Sequence, residues 1–408
     1  MNFFRYIFSL ISLTCIAQPK EGIWRGNLHL NTDKHIELPF NFEIKSNHLQ
    51  YNLIIYNGQE RILVDEVTFH HDSLNFKMPV FDSEFKTQLI GDTLLSGIWV
   101  NHSKTSNNQI AFTASFGYKD RFNVFMQHQD SSYVGKWETT FSPGQKDSSK
   151  AIGQFNFVKH KNIIEGTFLT ETGDYRYLEG ALINRKMHLS SFDGAHAFLF
   201  IAEHFGADSI KGDFYSGSSW HENWVAKRNE IFELRDPETL TFVKHPDEKI
   251  NFSFYNSAHE KISLDDEQYK NKPVIIQIMG SWCPNCMDES AYLAHIYSQY
   301  HKHGLEIIAL AYERTNDTEK AKANINRFVK RLNIEYQVLI TGLSGKEKAT
   351  DSLPFLNKIM AFPTTLFLDK THQVKSIYTG FNGPATGKAH EKYKLKTELL
   401  IKNLLEFK

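Results

Sequence analysis

A chain of 408 residues with 41% hydrophobic and 23% charged residues has an ordinary soluble composition and is long enough for two or three domains. The formal net charge of -1 provides no overall field to gather a polynucleotide or an anionic membrane, so nucleic acid is excluded as an expected partner.

Residues 1–17 read as an export signal. Arg5 gives a short positive start, Tyr6 to Ile16 form an apolar run, and Ala17 precedes the expected cut. Cleavage removes Cys15 and leaves Cys283 and Cys286 as the cysteines of the mature chain. A lipid anchor on Cys15 is the competing reading, but Ser12-Leu13-Thr14 is a poor match to the small residues that precede such a cysteine. The run is too short to span a bilayer, and no later stretch reaches the ~18 apolar residues a transmembrane helix needs. The expected location is the periplasm or cell envelope.

From residue 18 to 230 short runs of aromatic and β-branched residues alternate with Asn, Gly, Asp and Lys clusters, which predicts an all-β region. The region looks duplicated, with one copy over 18–118 and the other over 133–230. Trp24 and Trp137, Phe42 and Phe155, and Leu74 and Met187 share one offset, and Gly97 and Gly212 depart from it by two residues. Each copy holds about eight strand candidates joined by tight turns. That predicts a duplicated antiparallel meander closing into two barrel-like sheets, with a single sixteen-stranded arrangement as the alternative. His70, His71, His196, His204 and His221 have no spacing that brings them together on a metal. The abundant aromatics are expected to pack the sheets, or else to line a ligand cavity.

Residues 231–249 carry Pro and dense charge and read as a linker. Over 250–408 the periodicity changes. Phe252 to Ser263 suits a hairpin, and Pro273 to Met279 is the nearly continuous apolar run of a buried parallel strand. A helix is expected from Pro284 to His303, a strand from Leu305 to Ala311, and a second helix from Thr318 to Leu332. Tyr336 to Thr341 is a further strand, Gly342 to Met360 an irregular or helical insert, Leu366 to Leu368 and Val374 to Tyr378 late strands, and Ala389 to Leu405 a closing helix. Alternating β and α followed by two strands and a helix is an α/β layout.

Two cysteines separated by Pro284-Asn285 serve either as a redox couple or as half of a zinc site, and no second half is present. So short a loop would staple little, because the entropic gain of a crosslink grows with loop length. A strand running into Cys283 and a helix starting at Pro284 put that sulfur at a helix N-terminus, where unpaired amides favour the thiolate. Cys283 is therefore expected to be the exposed attacking sulfur, with Cys286 one turn further in as the shielded resolving one.

Trp282-Cys283-x-x-Cys286 after an apolar strand, with Phe362-Pro363-Thr364-Thr365 far downstream, resembles the exported TlpA/ResA-like branch of the thioredoxin fold. The resemblance covers 250–408. It implies a cis Pro363 beside the sulfurs, a substrate groove walled by Trp282, Phe362 and Thr364, and a redox disulfide between Cys283 and Cys286. Cytoplasmic thioredoxins carry a buried aspartate where this chain has Gln277. The branch often has a glutamate after the second cysteine, matched here by Glu289, which either assists the resolving thiol or is a solvated helix carboxylate.

The resulting expectation is an exported thiol-disulfide oxidoreductase, a disulfide reductase rather than an oxidase. Its expected partners are protein disulfides and an envelope electron donor, with no cofactor and no metal, and the β region would recruit substrate or partner. The alternatives are a β module that binds a ligand or envelope component with an auxiliary redox domain, and a thiol peroxidase. The Pro-x-x-x-Thr-x-x-Cys setting of a peroxidatic cysteine is missing.

Overall fold

A computed structural model describes residues 17–47, 50–123, 131–158, 162–245 and 249–406. Most of the expected export segment, and Cys15, lie outside the described residues. The first nine strands are β1 (Gly22–Asn31), β2 (Ile36–Asn47), β3 (Gln50–Asn57), β4 (Glu60–Val64), β5 (Glu66–His70), β6 (Ser73–Lys77), β7 (Ser83–Ile90), β8 (Leu94–Asn101) and β9 (Gln109–Phe116). They form one sheet in the order β4-β3-β2-β1-β9-β8-β7-β6-β5. Inward positions recur every second residue, as Trp24, Gly26, Leu28 and Leu30 do along β1. The two edge strands β4 and β5 are separated in sequence by Asp65 alone, so the sheet has to curl round on itself.

The second sheet comprises β10 (Gly135–Phe141), β11 (Ser149–Phe157), β12 (Ile164–Thr170), β13 (Gly173–Asp174), β14 (Leu178–Ile183), β15 (Lys186–Phe192), β16 (Ala197–Gly206), β17 (Ser209–Ser216) and β18 (Trp220–Arg228). Here β11 pairs with both β10 and β12, and β12 pairs with β14, so the strands close into a barrel with the two-residue β13 at its side. Taken in turn, the strands of the two sheets hold equivalent places, as duplication requires. The founding tryptophans match to the atom: Trp24 Nε1 donates to the Lys20 carbonyl at 2.9 Å, and Trp137 Nε1 to the Tyr133 carbonyl at 2.9 Å. Two separate sheets form, not one sixteen-stranded array.

The barrels interlock. Phe192, at the end of β15, belongs to the core of the first barrel and stacks on Phe40 with ring centroids 4.7 Å apart, its other neighbours being Phe85 and Trp99. Asn57 Nδ2 donates to the Phe192 carbonyl at 2.9 Å. Between the barrels the buried Arg121 reaches the Tyr56 carbonyl on one side and Glu179 and Ser190 on the other. Inside the second barrel Phe141, Phe168, Phe200, Phe214 and Trp224 pack together, so aromatic side chains fill both interiors.

The remaining strands are β19 (Ser253–Asn256), β20 (Lys261–Ser263), β21 (Val274–Met279), β22 (Glu306–Glu313), β23 (Gln337–Leu343), β24 (Thr364–Leu368) and β25 (Val374–Thr379), in the order β20-β19-β23-β22-β21-β24-β25. The central β21, β22 and β23 are parallel, and β24 runs antiparallel to β21. Helices α1 (Pro284–Tyr300), α2 (Thr318–Arg331) and α4 (Lys388–Leu404) place Leu293, Ile325 and Ile401 in the apolar layer on one face, and α3 (Lys346–Ser352) contributes Ala349 to the other. This is the thioredoxin fold expected of 250–408. Every residue of β21 and β22 is buried, which is why both read as largely apolar runs, broken only by Gln277 in β21 and by Glu306 and Glu313 at the ends of β22.

Residues of the charged stretch before it lie along this domain. The Thr379 amide donates to the Pro237 carbonyl at 3.1 Å, and the Lys244 amide to the Phe355 carbonyl at 2.9 Å.

Candidate active site

Cys283 sits where β21 ends and α1 begins. Its extended backbone (φ -105°, ψ 112°) makes it the N-cap, Pro284 takes the first helical turn, and the Cys286 amide donates to Cys283 Sγ at 3.2 Å. The two sulfurs are joined in a disulfide with Cα atoms 5.2 Å apart. Cys283 Sγ lies 3.4 Å from the carbonyl oxygen of Phe362, and the bond from Phe362 to Pro363 is cis. The Trp282 ring meets the Phe362 ring edge-on at 5.6 Å and donates through Nε1 to the Tyr312 carbonyl at 2.8 Å. The Arg314 guanidinium lies 3.7 Å from the centre of the Trp282 ring. Just upstream, Glu313 accepts from the Ser281 amide at 2.9 Å and from its hydroxyl at 2.7 Å, pinning the approach to Trp282.

Glu289 is fully buried. Its carboxylate accepts from Gln277 Nε2 at 2.8 Å, Thr365 Oγ1 at 2.9 Å and Tyr393 Oη at 3.0 Å, and Ser290 Oγ donates to Gln277 Oε1 at 2.8 Å. Burial pushes the carboxyl up to about 7, against the three donors that favour its charged form. The alternative of a solvated helix carboxylate is thus overturned. A group that changes protonation near neutrality is held one turn beyond Cys286.

Two expectations fail. Thr364 does not wall a groove: it is fully buried and its hydroxyl donates to the Ala361 carbonyl at 2.8 Å. The period-two alternation of β24 turns it away from the sulfurs and gives the inward position to Thr365, opposite Gln277. Cys283 is not exposed either, keeping only 5% of its surface, and Cys286 none. Part of the reason lies in the β region. Val80 and Phe81, between β6 and β7, join the same apolar cluster as both cysteines, with Ala195 packed against it.

The tip between β12 and β13 completes the cover. Asn285 Nδ2, from between the cysteines, donates to the Asp174 carbonyl at 3.3 Å. At Gly173 (φ +139°) a Cβ would stand 1.9 Å from Asn285 Nδ2, so a side chain there would have to displace the Asn285 amide. Across the tip a Cβ on Gly380 would stand 2.9 Å from the Thr172 carbonyl carbon, and the Gly380 amide itself donates to the Pro363 carbonyl. The Gly383 amide donates to Asp174 Oδ2 at 2.6 Å, and burial raises that carboxyl to about 6. Arg176 Nη1 donates to the Pro284 carbonyl at 3.2 Å, and the guanidinium is ion-paired with Asp288, Glu60 and, at 3.5 Å, Asp193. Beside the tip, the mouth of the second barrel opens as a cleft of about 740 Å³ that includes Asn285, Tyr175, Phe198 and Trp220.

Sequence reading missed Arg176, Asp174, Glu313 and Tyr393, each of which acts across a distance no local pattern records. The histidines stand apart with partners of their own: His221 lies 2.8 Å from Asp213, and His204 lies 2.8 Å from Ser132. Among the described residues no three His, Cys, Asp or Glu side chains converge as metal ligands, and no helix is long and apolar enough to cross a membrane.

The Redoxin family matches residues 246–393. The chain is 29% identical over 112 residues to the thiol-disulfide oxidoreductase ResA of Geobacillus thermodenitrificans, an alignment covering 28% of this chain and 57% of that one. Against ResA of Bacillus subtilis it is 25% identical over 130 residues, covering 32% and 64%. The chain therefore spans little more than half the length of the curated relatives it matches. Among solved structures, a thioredoxin-family thiol:disulfide interchange protein from Chlorobium tepidum has 18% identity and a TM-score of 0.31, with 40% of this chain and 97% of that one covered. A secreted thiol-disulfide isomerase from Corynebacterium glutamicum has 18% identity and a TM-score of 0.32, with 42% and 98% covered.

Proposed function

We propose that a chain with a Redoxin domain at its C-terminal end works as an exported thiol-disulfide oxidoreductase that reduces protein disulfides in the cell envelope through Cys283-Pro284-Asn285-Cys286. The observation that carries the reading is the placement of a bonded sulfur pair at the start of α1, with Cys283 Sγ 3.4 Å from the carbonyl that precedes the cis Pro363. In the reduced state the Cys283 thiolate attacks one sulfur of a substrate disulfide, forming a mixed disulfide and releasing the other sulfur as a thiolate that takes up a proton. Cys286 loses its proton and attacks Cys283 Sγ. The substrate leaves as a dithiol, carrying two electrons, and the Cys283–Cys286 disulfide forms. An envelope dithiol donor returns the two electrons.

The helix N-terminus supports the attacking thiolate. Glu289, poised near neutral pH, supports removal of the proton from Cys286, with Gln277 and Thr365 as its positioning partners. Trp282 and Phe362 form the wall of the substrate groove. The β region holds the redox motif and governs what reaches it.

The test is disulfide exchange by the wild type and by Cys283→Ala. The variant is expected to lose activity entirely, and equal rates would refute the assignment. Cys286→Ala is expected to accumulate the mixed disulfide and so to name the substrate. Direction is read from the reduction potential of the pair: a value near about -270 mV supports a reductase, and one near about -120 mV overturns it.

A further inference from the structure

We infer that Arg176 is a specificity-determining residue for this exchange: it clasps both barrels onto the redox motif, so that in the closed arrangement Cys283 is open to low-molecular-weight disulfides and reaches disulfides on folded proteins only when the clasp opens. The inference rests on the proposed oxidoreductase reading and narrows its substrate class.

Arg176 is 3% exposed, on a backbone in the left-handed region at φ 56°. It faces three carboxylates from three units: Glu60 on β4 of the first barrel, Asp193 after β15 of the second, and Asp288 in α1. One of its nitrogens also donates to the carbonyl of Pro284, between the two cysteines. A planar fork with five donors satisfies several acceptors at once, which a lysine cannot do. Without it, three acidic side chains would confront one another in a nearly dry space, and like charges so placed push apart.

What the clasp seats is the tip at Thr172 and Gly173, packed against Asn285 and so close to Gly380 that a Cβ there would meet the tip's backbone at 2.9 Å. Val80, Phe81 and Ala195 share the apolar cluster of the cysteines. These elements stand around Cys283, which keeps 5% of its surface in the disulfide form. A folded protein cannot bring a disulfide to such a sulfur without lifting the tip. A small disulfide needs far less displacement, and the cleft of about 740 Å³ beside Asn285 gives it an approach.

The experiment compares turnover of insulin with turnover of hydroxyethyl disulfide by the full chain. In Arg176→Met the insulin to hydroxyethyl disulfide rate ratio is expected to rise by at least about tenfold, because release of the clasp shifts the population toward the open arrangement. Arg176→Lys, which keeps the charge but not the fork, is expected to rise less. A ratio within about twofold of wild type in Arg176→Met overturns the proposal. Should Arg176→Met fail to fold, Asp288→Asn loosens the redox side alone and is expected to raise the ratio by about threefold or more; no rise there overturns it equally.

Labelling of reduced Cys283 by iodoacetamide against a polymer-linked maleimide reads the same clasp without turnover. If neither disulfide is consumed, the oxidoreductase reading fails, and a clasp-dependent labelling ratio still separates that failure from this one.

Discussion

The two barrels have the same strand order, yet they are closed in different ways. The second completes its own ring, with β12 bonded to both β11 and β14. The first leaves β4 and β5 as edges, and its core is completed from outside by Phe192. Their contacts with the redox motif divide along the same line. The second barrel supplies the tip and Arg176 at the redox motif, whereas the first contributes Val80, Phe81 and Glu60 as supports. A duplicated unit can give up its own closure when its twin supplies the missing part.

The sharpest way to break this comparison is to remove the shared piece. Phe192→Ala empties a site in the first barrel although the residue belongs to the second, and is expected to cost about 3–5 kcal/mol in urea unfolding. A loss below about 1 kcal/mol would mean that the first barrel closes without its twin.

The next test concerns the tip that only the second barrel carries. Asp174 is pushed from its ordinary 3.8 to about 6, so between those values the folded chain holds a proton that the unfolded chain has released. Its contribution is complete below pH 3.8 and is lost as pH rises through about 6. Asp174→Asn is expected to remove up to about 3 kcal/mol of that downward slope, measured as stability against pH. Parallel curves for wild type and variant would show that the aspartate ionises as freely in the fold as outside it.

The smallest effect tests the equivalence of the founding tryptophans. Trp24→Phe and Trp137→Phe each delete one hydrogen bond to a carbonyl four residues upstream. Each is expected to cost about 1 kcal/mol from that bond, with Trp137 the dearer because its partner is buried more deeply. A larger loss at Trp24 would reverse that ranking.

Much of this architecture was legible in the sequence because local periodicity encodes it. Val274 to Met279 is apolar but for Gln277 because β21 is covered on both faces, and the duplicated tryptophans mark equivalent strands. The places of the sulfur pair, Pro363 and Glu289 were legible for a different reason: they follow from residue type and order along the chain. Thr364 was misplaced through strand parity, where a slip of one residue exchanges the two faces of a sheet. The cover over Cys283 was invisible because it depends on how separate units dock, and docking leaves no periodic mark. Arg176 is the extreme case. Nothing near Tyr175 or Tyr177 signals that its guanidinium will meet acids from β4 and α1.

Phe192 also has a temporal meaning. The chain emerges from the ribosome from its N-terminus at ~5–20 residues per second, so β1 to β9 are complete several seconds before the ring that fills their core has been synthesised. Through that interval Phe40, Phe85 and Trp99 lack the ring they pack on in the finished structure. The first barrel can therefore reach its final packing only after its younger copy has been made.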